Sequence, residues 1–264
     1  MAVIGTATGR IGFSESGAGD GTPILFLHGV GSDKSVWAPQ LAHFGRSRRA
    51  IACDYPGYGE SDPWPDATRD DFAAAILAAM DSLQVERAHV CGLSLGGVVA
   101  IAMHALAPER CASLVLADSF AVHPDGQGIF ERSVEASRTI GMRALAEARV
   151  DLLLRSAAPP GLRAEVVETM AAIDPAAYRV GAAAVWLADQ RERARAIAVP
   201  TLVLCGSEDR ITPPALSEEL AGLIPAARLA FIDGAGHLAN AEQPAAFNAA
   251  IDDFLAAAAP ESLS

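Results

Sequence analysis

Short apolar runs and longer helical patterns alternate along most of this chain, and this alternation constrains the fold more than any other feature. Each apolar run has the length of a strand buried on both faces. The runs lie at 24–29, 49–62, 88–93, 111–119, 200–209 and 227–237, and the helical patterns at 69–84, 96–108, 213–224 and 244–258. Strands that alternate with helices predict an α/β fold with a mostly parallel central sheet and helices on both faces.

The alternation stops between residues 120 and 195, which we call the helical insertion. This segment is rich in alanine and arginine, and a Pro-Pro-Gly sequence at 159–161 separates its two long helical patterns. Strand patterns resume only after residue 195. We therefore expect an all-helical cap at 120–195, inserted between two strands of a core that consists of residues 1–119 and 196–264.

Length and charge limit the classes of function. The 264 residues are enough for one large α/β domain, and a hydrophobic fraction of 51% supplies a well-buried core. The net charge of −12 argues against nucleic acids and anionic membrane surfaces as partners. No stretch approaches 18 consecutive apolar residues, and the first residues lack a secretory pattern, so neither a membrane span nor export is predicted. The oligomeric state stays open.

The four cysteines give a hint about the compartment. Cys53, Cys91, Cys111 and Cys205 each lie inside a run that reads as a buried strand. None belongs to a Cys-x-x-Cys pair, and none is spaced with histidines like a zinc site. Because free cysteine behaves as a small hydrophobic core residue, we expect a reducing, cytoplasmic location and neither a metal nor another cofactor.

A serine at the junction of a strand and a helix is the first feature with chemical meaning. Residues 92–96, Gly-Leu-Ser-Leu-Gly, fit the pattern G-x-S-x-G. The pattern alone occurs by chance about 0.1 times in a chain of this composition, and serine and glycine are also ordinary turn residues. The strand before it and the helix after it favour a nucleophile elbow, a tight turn that exposes the hydroxyl group of Ser94.

A serine nucleophile needs a base, and the base needs an acid that orients it. His237 follows the last strand pattern on a Gly-rich loop, where open α/β sheets place their ligand chemistry. Asp209 lies just after the strand pattern that begins at residue 200, and the chain order Ser, Asp, His favours it as the acid. Glu208 and Asp118 are the rival candidates, and loop or cap roles are common for all such acids.

An acyl-transfer enzyme also needs N–H groups directed at the developing oxyanion. The loop "HGVGS" at 28–32 follows the first strong strand pattern, and it would offer the N–H group of Val30. The residue after the serine, Leu95, would offer a second N–H group. The alternative for the loop is an ordinary Gly-rich turn between a strand and a helix.

Five segments in the same order make the chain resemble the α/β-hydrolase family over essentially its whole length. They are "HGVGS", "DYPGYGES", "GLSLGG", "GSEDRITP" and "GAGHLANAEQP". The resemblance implies Ser94 as nucleophile, Asp209 as acid and His237 as base. Within the family, the stretches 31–41, 137–148 and 237–248 look most similar to 3-oxoadipate enol-lactonases.

Other branches of that family fit less well. Dehalogenases and epoxide hydrolases use an aspartate nucleophile, whereas position 94 is serine. Carbon–carbon bond hydrolases of ring-cleavage pathways typically carry a tryptophan soon after the catalytic histidine, and this chain has "LANAEQ" there.

We therefore expect a serine hydrolase that cleaves a small ester or lactone through an acyl-enzyme. A general carboxylesterase and a carbon–carbon bond hydrolase are alternatives, and a perhydrolase side activity would use the same triad. A different class is also open, since some members of this fold bind or sense small molecules with little turnover.

The helical insertion would cover the pocket and select the substrate. Candidate substrate-binding residues come from the first loop and from the insertion, namely His28, Gly29, Lys34, Phe130, Arg132, Tyr178 and Trp186. Ordinary packing or a solvated surface position is the alternative for the four residues of the insertion. An enol-lactone of this kind carries a free carboxylate, so we expect the cations Arg132 and Lys34 to favour a carboxylate-bearing substrate.

Overall fold

An eight-stranded sheet forms the centre of the molecule in the computed structural model, which describes residues 2–258. In chain order the strands are β1 Ala2–Thr6, β2 Gly9–Ser16, β3 Ile24–Leu27, β4 Ala50–Cys53, β5 Ala88–Leu93, β6 Cys111–Ala117, β7 Thr201–Gly206 and β8 Arg228–Ile232. Their order across the sheet is β1-β2-β4-β3-β5-β6-β7-β8. The pairs from β4 to β8 are all parallel, which confirms the predicted mostly parallel sheet.

The two strands at the beginning of the chain were not predicted. β1 and β2 form an antiparallel hairpin, and β2 continues the sheet by pairing antiparallel with β4. In β2, Ile11 and Phe13 point into the core, while β1 contributes no fully buried side chain. A strand at the sheet edge needs only a few apolar residues, so its alternating pattern is short and easily missed.

Helices cover both faces of the sheet, as predicted. They are α1 Ala38–Phe44, α2 Arg69–Ser82, α3 Leu95–Leu106, α4 Gly126–Thr139, α5 Gly141–Leu153, α6 Pro160–Ala171, α7 Pro175–Trp186, α8 Arg191–Arg195, α9 Pro214–Leu223, α10 Ala239–Glu242 and α11 Pro244–Ala258. The helices α2 and α3 contribute to one hydrophobic cluster, with residues such as Phe72 and Val99. The helices α1 and α11 contribute to a second cluster, with Phe44 and Phe254. Within residues 2–258, no helix combines the length and the apolar character that a membrane crossing requires.

Five helices, α4 to α8, lie between β6 and β7 and form the helical insertion. An isolated bridge between Val122 and Asp189 joins the beginning of the insertion to its end. Helix α7 packs closely on the core, since a Cβ atom at Gly181 would collide with the hydroxyl group of Tyr58. Its all-helical character and its place between two strands agree with the sequence, while the division into core and cap domains stays a prediction.

The junction between β5 and α3 is a tight turn that depends on glycine. Ser94 lies at this turn with φ of 55° and ψ of −112°, a backbone conformation that residues other than glycine rarely adopt. A Cβ atom at Gly92 would collide with the carbonyl group of Gly96, and a Cβ atom at Gly96 with the carbonyl group of Leu27. The two glycines therefore allow the helix to begin directly against the sheet.

Replacement of Gly96 tests this packing. We expect Gly96→Ala to lower the free energy of unfolding by about 1–3 kcal/mol or more, because the new methyl group meets backbone atoms that cannot move aside. Gly222→Ala is the matched control, because nothing lies within 4 Å of the added atom in helix α9. It should be neutral or slightly stabilising. Urea unfolding measures both, and equal stability of the two variants would contradict the account.

Candidate active site

Four polar residues follow the carboxyl ends of four neighbouring strands. Ser94 follows β5, Asp118 follows β6, Asp209 follows β7 and His237 follows β8. Because parallel strands end at the same edge of a sheet, the topology places these side chains in one region. All four are buried, with exposed fractions of 0–3%.

A hydrogen bond joins the histidine to one of the acids. Nδ1 of His237 lies 2.8 Å from Oδ2 of Asp209. The same carboxylate oxygen accepts a hydrogen bond of 2.6 Å from the hydroxyl group of Thr212. The other oxygen, Oδ1, accepts the N–H groups of Ile211 and Thr212 at 2.7 and 3.0 Å. Four donors therefore fix the orientation of the Asp209 carboxylate, and through it the imidazole ring.

The same contacts determine the charge of Asp209. Burial pushes the pKa of this carboxyl up, but the attraction of His237 and the hydrogen bonds from His237 and Thr212 outweigh burial. The pKa of Asp209 is consequently lower than its ordinary value. The group is anionic at neutral pH, as the partner of an imidazole N–H group must be.

Ser94 and His237 line the same cavity, which has a volume of about 300 Å³. Ser94 is held by its backbone, since its N–H group donates to Ala117 and its carbonyl group accepts from Ser119 Oγ. In the described part of the chain, Nδ1 is the ring atom of His237 that forms hydrogen bonds. This leaves Nε2, on the other side of the ring, free to accept a proton on the cavity side.

Two unpaired backbone N–H groups flank Ser94. Within residues 2–258, neither Val30 nor Leu95 donates its N–H group to another backbone atom. Leu95 is the first residue of α3, where helix N–H groups are free. Val30 lies in the loop after β3, and its neighbour Gly29 is so close that an added Cβ atom would lie 3.5 Å from Cβ of Ser94. Both N–H groups are thus available to an anionic oxygen near the serine.

Among residues 2–258, neither rival acid forms a hydrogen bond with His237. Glu208 is exposed, and its N–H group donates to the carbonyl group of Ala235. Asp118 is fully buried, and its Oδ1 accepts the N–H group of Gly206 at 2.7 Å. The hydrogen bond to His237 comes from Asp209.

Three of the seven candidate substrate-binding residues line the cavity, namely Gly29, Tyr178 and Trp186. The hydroxyl group of Tyr178 and Nε1 of Trp186 are buried and have no hydrogen-bond partner among the described residues. Unpaired buried donors are uncommon, and these two belong to side chains of the cavity wall. His28, Lys34, Phe130 and Arg132 are not part of the cavity wall.

Lys34 has a structural environment, contrary to expectation. Its side chain is almost completely buried, and Nζ lies 2.6 Å from Asp54 and 2.7 Å from Glu60. Burial lowers the pKa of Lys34, but hydrogen bonds and charge attraction from both carboxylates outweigh burial and raise it overall. The ammonium group is therefore charged and already neutralised, so it has no capacity left for a substrate.

Arg132, His28 and Phe130 are also engaged elsewhere. Arg132 is exposed and pairs with Asp125 at 2.6 Å. His28 is fully buried, with Nδ1 2.8 Å from the carbonyl oxygen of Gly29, and burial lowers the pKa of its ring. Phe130 packs against the hydrophobic core from α4. Phe130 is thus packed and Arg132 faces solvent, which are the alternatives that the sequence had left open for these two residues.

The cavity wall contains one cation that sequence reasoning missed. Arg149 of α5 lines the cavity, as does Glu165 of α6. Among the residues 2–258, no carboxylate pairs with Arg149, whereas Arg143 on the same helix pairs with Glu168. Several arginines occur in the helical insertion, so only the packing of α5 distinguishes Arg149 from the others. The remaining wall is mainly apolar, with Val36, Leu93, Leu153, Leu162, Val166, Met170 and Ile211.

Three side chains near the histidine could in principle ligate a metal ion. Ligand atoms of Asp118, Cys205 and Asp209 lie within 4.8 Å of one another. Burial raises the pKa of the Cys205 thiol to about 12, so it stays protonated and is a poor ligand. The oxygens of Asp209 already accept four hydrogen bonds. The arrangement fits a hydrogen-bonded pair of acids better than a metal centre.

Comparison with known proteins identifies the family of the chain. A family model described as the alpha/beta hydrolase family matches residues 24–250, so the chain belongs to that family. The chain is 30% identical to 3-oxoadipate enol-lactonase 1 of Acinetobacter baylyi, over 85% of each chain. It is 33% identical to 2-hydroxymuconate semialdehyde hydrolase of Pseudomonas sp., with 97% of this chain and 93% of that one covered.

A solved structure is similar over nearly the whole chain. The enol-lactonase from Burkholderia xenovorans LB400 superposes with a TM-score of 0.91 and 29% identity. The match covers 97% of this chain and 100% of that one. The predicted α/β-hydrolase fold is therefore confirmed, and these three similar proteins are two enol-lactonases and a semialdehyde hydrolase.

The environment of Lys34 generates a stability prediction. Lys34→Met leaves the buried Asp54 carboxylate without its cation, so we expect a loss of about 3–5 kcal/mol in the free energy of unfolding. Arg132→Met breaks an exposed ion pair, and it should cost less than about 1 kcal/mol. Denaturant titrations of both variants measure the difference. A Lys34→Met protein as stable as the Arg132→Met protein would refute the structural role.

Proposed function

We propose that this protein is a serine hydrolase that cleaves a small ester or lactone through an acyl-enzyme. The observation that carries the proposal is the hydrogen bond of 2.8 Å between Asp209 and His237, beside a cavity that Ser94 also lines. A buried acid, a histidine and a serine at a strained turn are the parts that nucleophilic acyl transfer requires. The identity of about 30% to named hydrolases supports the same reaction class.

Each group has a role in the first half of the proposed reaction. Ser94 Oγ attacks the substrate carbonyl carbon while Nε2 of His237 accepts the hydroxyl proton. Asp209 holds the imidazole with its proton on Nδ1 and stabilises the imidazolium that forms. The N–H groups of Val30 and Leu95 donate to the oxyanion of the tetrahedral intermediate. His237 then gives its proton to the leaving oxygen, and the acyl group remains on Ser94.

The second half repeats these steps with water. His237 removes a proton from a water molecule, whose oxygen attacks the acyl carbon of the intermediate. The new oxyanion occupies the same position near Val30 and Leu95. When it collapses, Ser94 leaves with the proton from His237, and the carboxylic acid product is released. With a lactone, alcohol and acid are parts of one product, because the ring has opened.

The helical insertion serves as a cap over this reaction in our proposal. Helices α5, α6 and α7 supply nine of the residues that line the cavity, from Arg149 to Trp186. The volume of about 300 Å³ suits a small substrate. Tyr178 and Trp186 carry unpaired buried donors, which can bind neutral oxygen atoms of that substrate.

We further propose that the substrate carries a carboxylate and that Arg149 binds it. The sequence analysis had expected Arg132 and Lys34 to bind this carboxylate. Arg149 is the one lysine or arginine among the residues that line the cavity. A guanidinium group matches a carboxylate, and the mainly apolar wall, in which the exposed Glu165 is the acidic residue, strengthens their attraction. Two enol-lactonases among the similar proteins, one by sequence and one by structure, fit this choice.

A carbon–carbon bond hydrolase is the second candidate. The identity of 33% to 2-hydroxymuconate semialdehyde hydrolase, over 97% of this chain, is the observation that favours it. A panel with an enol-lactone, p-nitrophenyl esters and a ring-cleavage dienoate distinguishes the candidates.

We place the activity in a reducing, cytoplasmic environment, because the four cysteines are buried and free.

Removal of the nucleophile is the first test of the mechanism. We expect Ser94→Ala to fold normally and to lose at least about 10⁴-fold in kcat, because no other hydroxyl group occupies the elbow. Circular dichroism checks the fold and ester hydrolysis checks the rate. Turnover near that of the wild type in a folded variant would refute the assignment, and binding without turnover in the wild type would favour a sensor.

The acid can be tested separately. Asp209→Asn should lower kcat by about 10⁴-fold, because the amide favours the wrong tautomer of His237. Glu208→Gln is the matched control, since this neighbouring acid is exposed, and it should keep nearly full activity. Initial rates at saturating ester measure both. A larger loss in Glu208→Gln would transfer the role.

Two substrates that differ only in a free carboxylate or its methyl ester test Arg149. We expect the acid to have the higher kcat/KM, and Arg149→Gln to lower that value about 10- to 100-fold while the methyl ester changes little. Arg143→Gln is the control, because this arginine lies on the same helix but pairs with Glu168. A preference for the neutral ester that neither variant alters would leave a general esterase.

A further inference from the structure

A second buried carboxyl group lies beside the proposed triad acid. Asp118 follows β6 and Asp209 follows β7, the neighbouring strand, so the two side chains meet at the same sheet edge. A carboxylate oxygen of each lies within 4.8 Å of the other, and neither side chain is more than 3% exposed. Nothing in the mechanism above uses Asp118.

The two carboxyl groups have very different partners. Asp209 accepts four hydrogen bonds, from two backbone N–H groups, Thr212 and His237. Asp118 accepts one, at Oδ1, from the N–H group of Gly206. Its other oxygen, Oδ2, is buried and has no donor among the described residues. A negative charge is therefore far better stabilised on Asp209 than on Asp118.

A contact between two carboxylates is not itself a hydrogen bond, because ionised oxygens only accept. One proton between them turns repulsion into attraction, and buried acid pairs share a proton for this reason. The donors decide that the proton resides on Asp118. Burial, followed by the negative charge of Asp209, accordingly holds the pKa of Asp118 well above its usual range.

We propose that Asp118 is a positioning residue that keeps a proton at neutral pH and donates it, from Oδ2, in a hydrogen bond to the carboxylate of Asp209. This inference rests on the proposed function, because Asp118 acts through Asp209 on His237. The pair then carries a single negative charge beneath the imidazole. A fifth donor holds the acid in place without a second charge that would bind the imidazolium too firmly.

The backbone of Asp118 is held in the position that this role requires. Its φ is 46°, in the left-handed region, which a residue other than glycine keeps only where its surroundings enforce it. Its N–H group donates to the carbonyl group of Leu204. Its own carbonyl oxygen lies 3.0 Å from Oγ1 of Thr212, whose single proton is donated over the shorter distance of 2.6 Å to Asp209. Strain of this kind is concentrated at functional sites.

The other titratable groups around Asp118 do not supply a competing cation. The thiol of Cys205 on β7 is neutral, since burial raises its pKa to about 12. Glu242 of α10 is acidic and adds to the repulsion. Its carboxylate accepts the backbone N–H groups of Arg155 and Gly236, and the Arg155 guanidinium lies 4.0 Å away. The positive charge that arises on His237 during the reaction is next to Asp209, which holds the ring at 2.8 Å.

Carboxyl carbon NMR detects the proton directly. In protein labelled at the aspartate carboxyl carbons, the Asp118 signal is identified by its absence from Asp118→Asn. We expect the Asp118 carboxyl carbon to have a chemical shift typical of a protonated acid at about pH 7. This shift should not change when the pH is moved slightly above or below 7. A shift typical of an ionised carboxylate overturns the proposal. Because this readout needs no turnover, it stays valid even if the protein proves not to be a hydrolase.

Kinetics test the positioning role. Asp118→Asn keeps a neutral side chain with an amide donor, so kcat should stay within about 3-fold and the acid limb of the kcat/KM profile should not move. Asp118→Leu has no donor, so kcat should fall about 10-fold or more with KM little changed. Its acid limb should move to higher pH, because a less stabilised Asp209 carboxylate holds the imidazolium more strongly.

The opposite charge state makes the opposite prediction. If Asp118 were ionised, Asp118→Asn would remove a negative charge near His237 and shift the acid limb to lower pH by about 1 unit or more. Such a shift overturns the proposal. A folded Asp118→Leu protein with full activity and an acid limb of the kcat/KM profile at the wild-type pH also overturns it. Glu208→Gln is the control for removing an acidic neighbour that is exposed, and its profile should match the wild type.

Discussion

The hydrogen bond between Asp209 and His237 is the interaction on which the site depends. It joins the loop after β7 to the loop after β8, so it exists only because these two strands are neighbours in the sheet. The hydroxyl group of Thr212 and two backbone N–H groups fix the carboxylate of Asp209. The imidazole ring of His237 lines the same cavity as Ser94. The glycines that allow the tight turn at Ser94 place the serine at the same edge.

The helical insertion turns this edge into an enclosed site. Helices α5, α6 and α7 supply nine of the residues that line the cavity, among them Arg149, Tyr178 and Trp186, while the loops after the strands supply the proposed reacting groups. Two cations of the molecule, Lys34 and Arg149, have different environments. Lys34 is paired with the buried Asp54 and the partly exposed Glu60, whereas Arg149 pairs with no carboxylate among residues 2–258 and is the proposed partner of a ligand. This division favours a small substrate with a carboxylate at one end and an ester or lactone near Ser94.

Local patterns predicted β3 to β8, the helices α2, α3, α9 and α11, the insertion and the positions that we assign to the triad, because strand–helix alternation and the G-x-S-x-G turn are encoded in neighbouring residues. Contacts between distant segments were not predictable. The partners of Lys34 come from the loop after β4, and Arg149 reaches the cavity only through the packing of α5. The edge hairpin of β1 and β2 was missed because it buries few side chains.

The central claim is that Ser94 is an activated nucleophile. Incubation with a fluorophosphonate, followed by digestion and mass spectrometry, tests it without knowledge of the substrate, since the reagent phosphorylates serines that a nearby base activates. We predict one covalent adduct, on the peptide that contains Ser94, with slower labelling in Asp209→Asn. No adduct at Ser94, or an adduct on a different residue, would contradict the account.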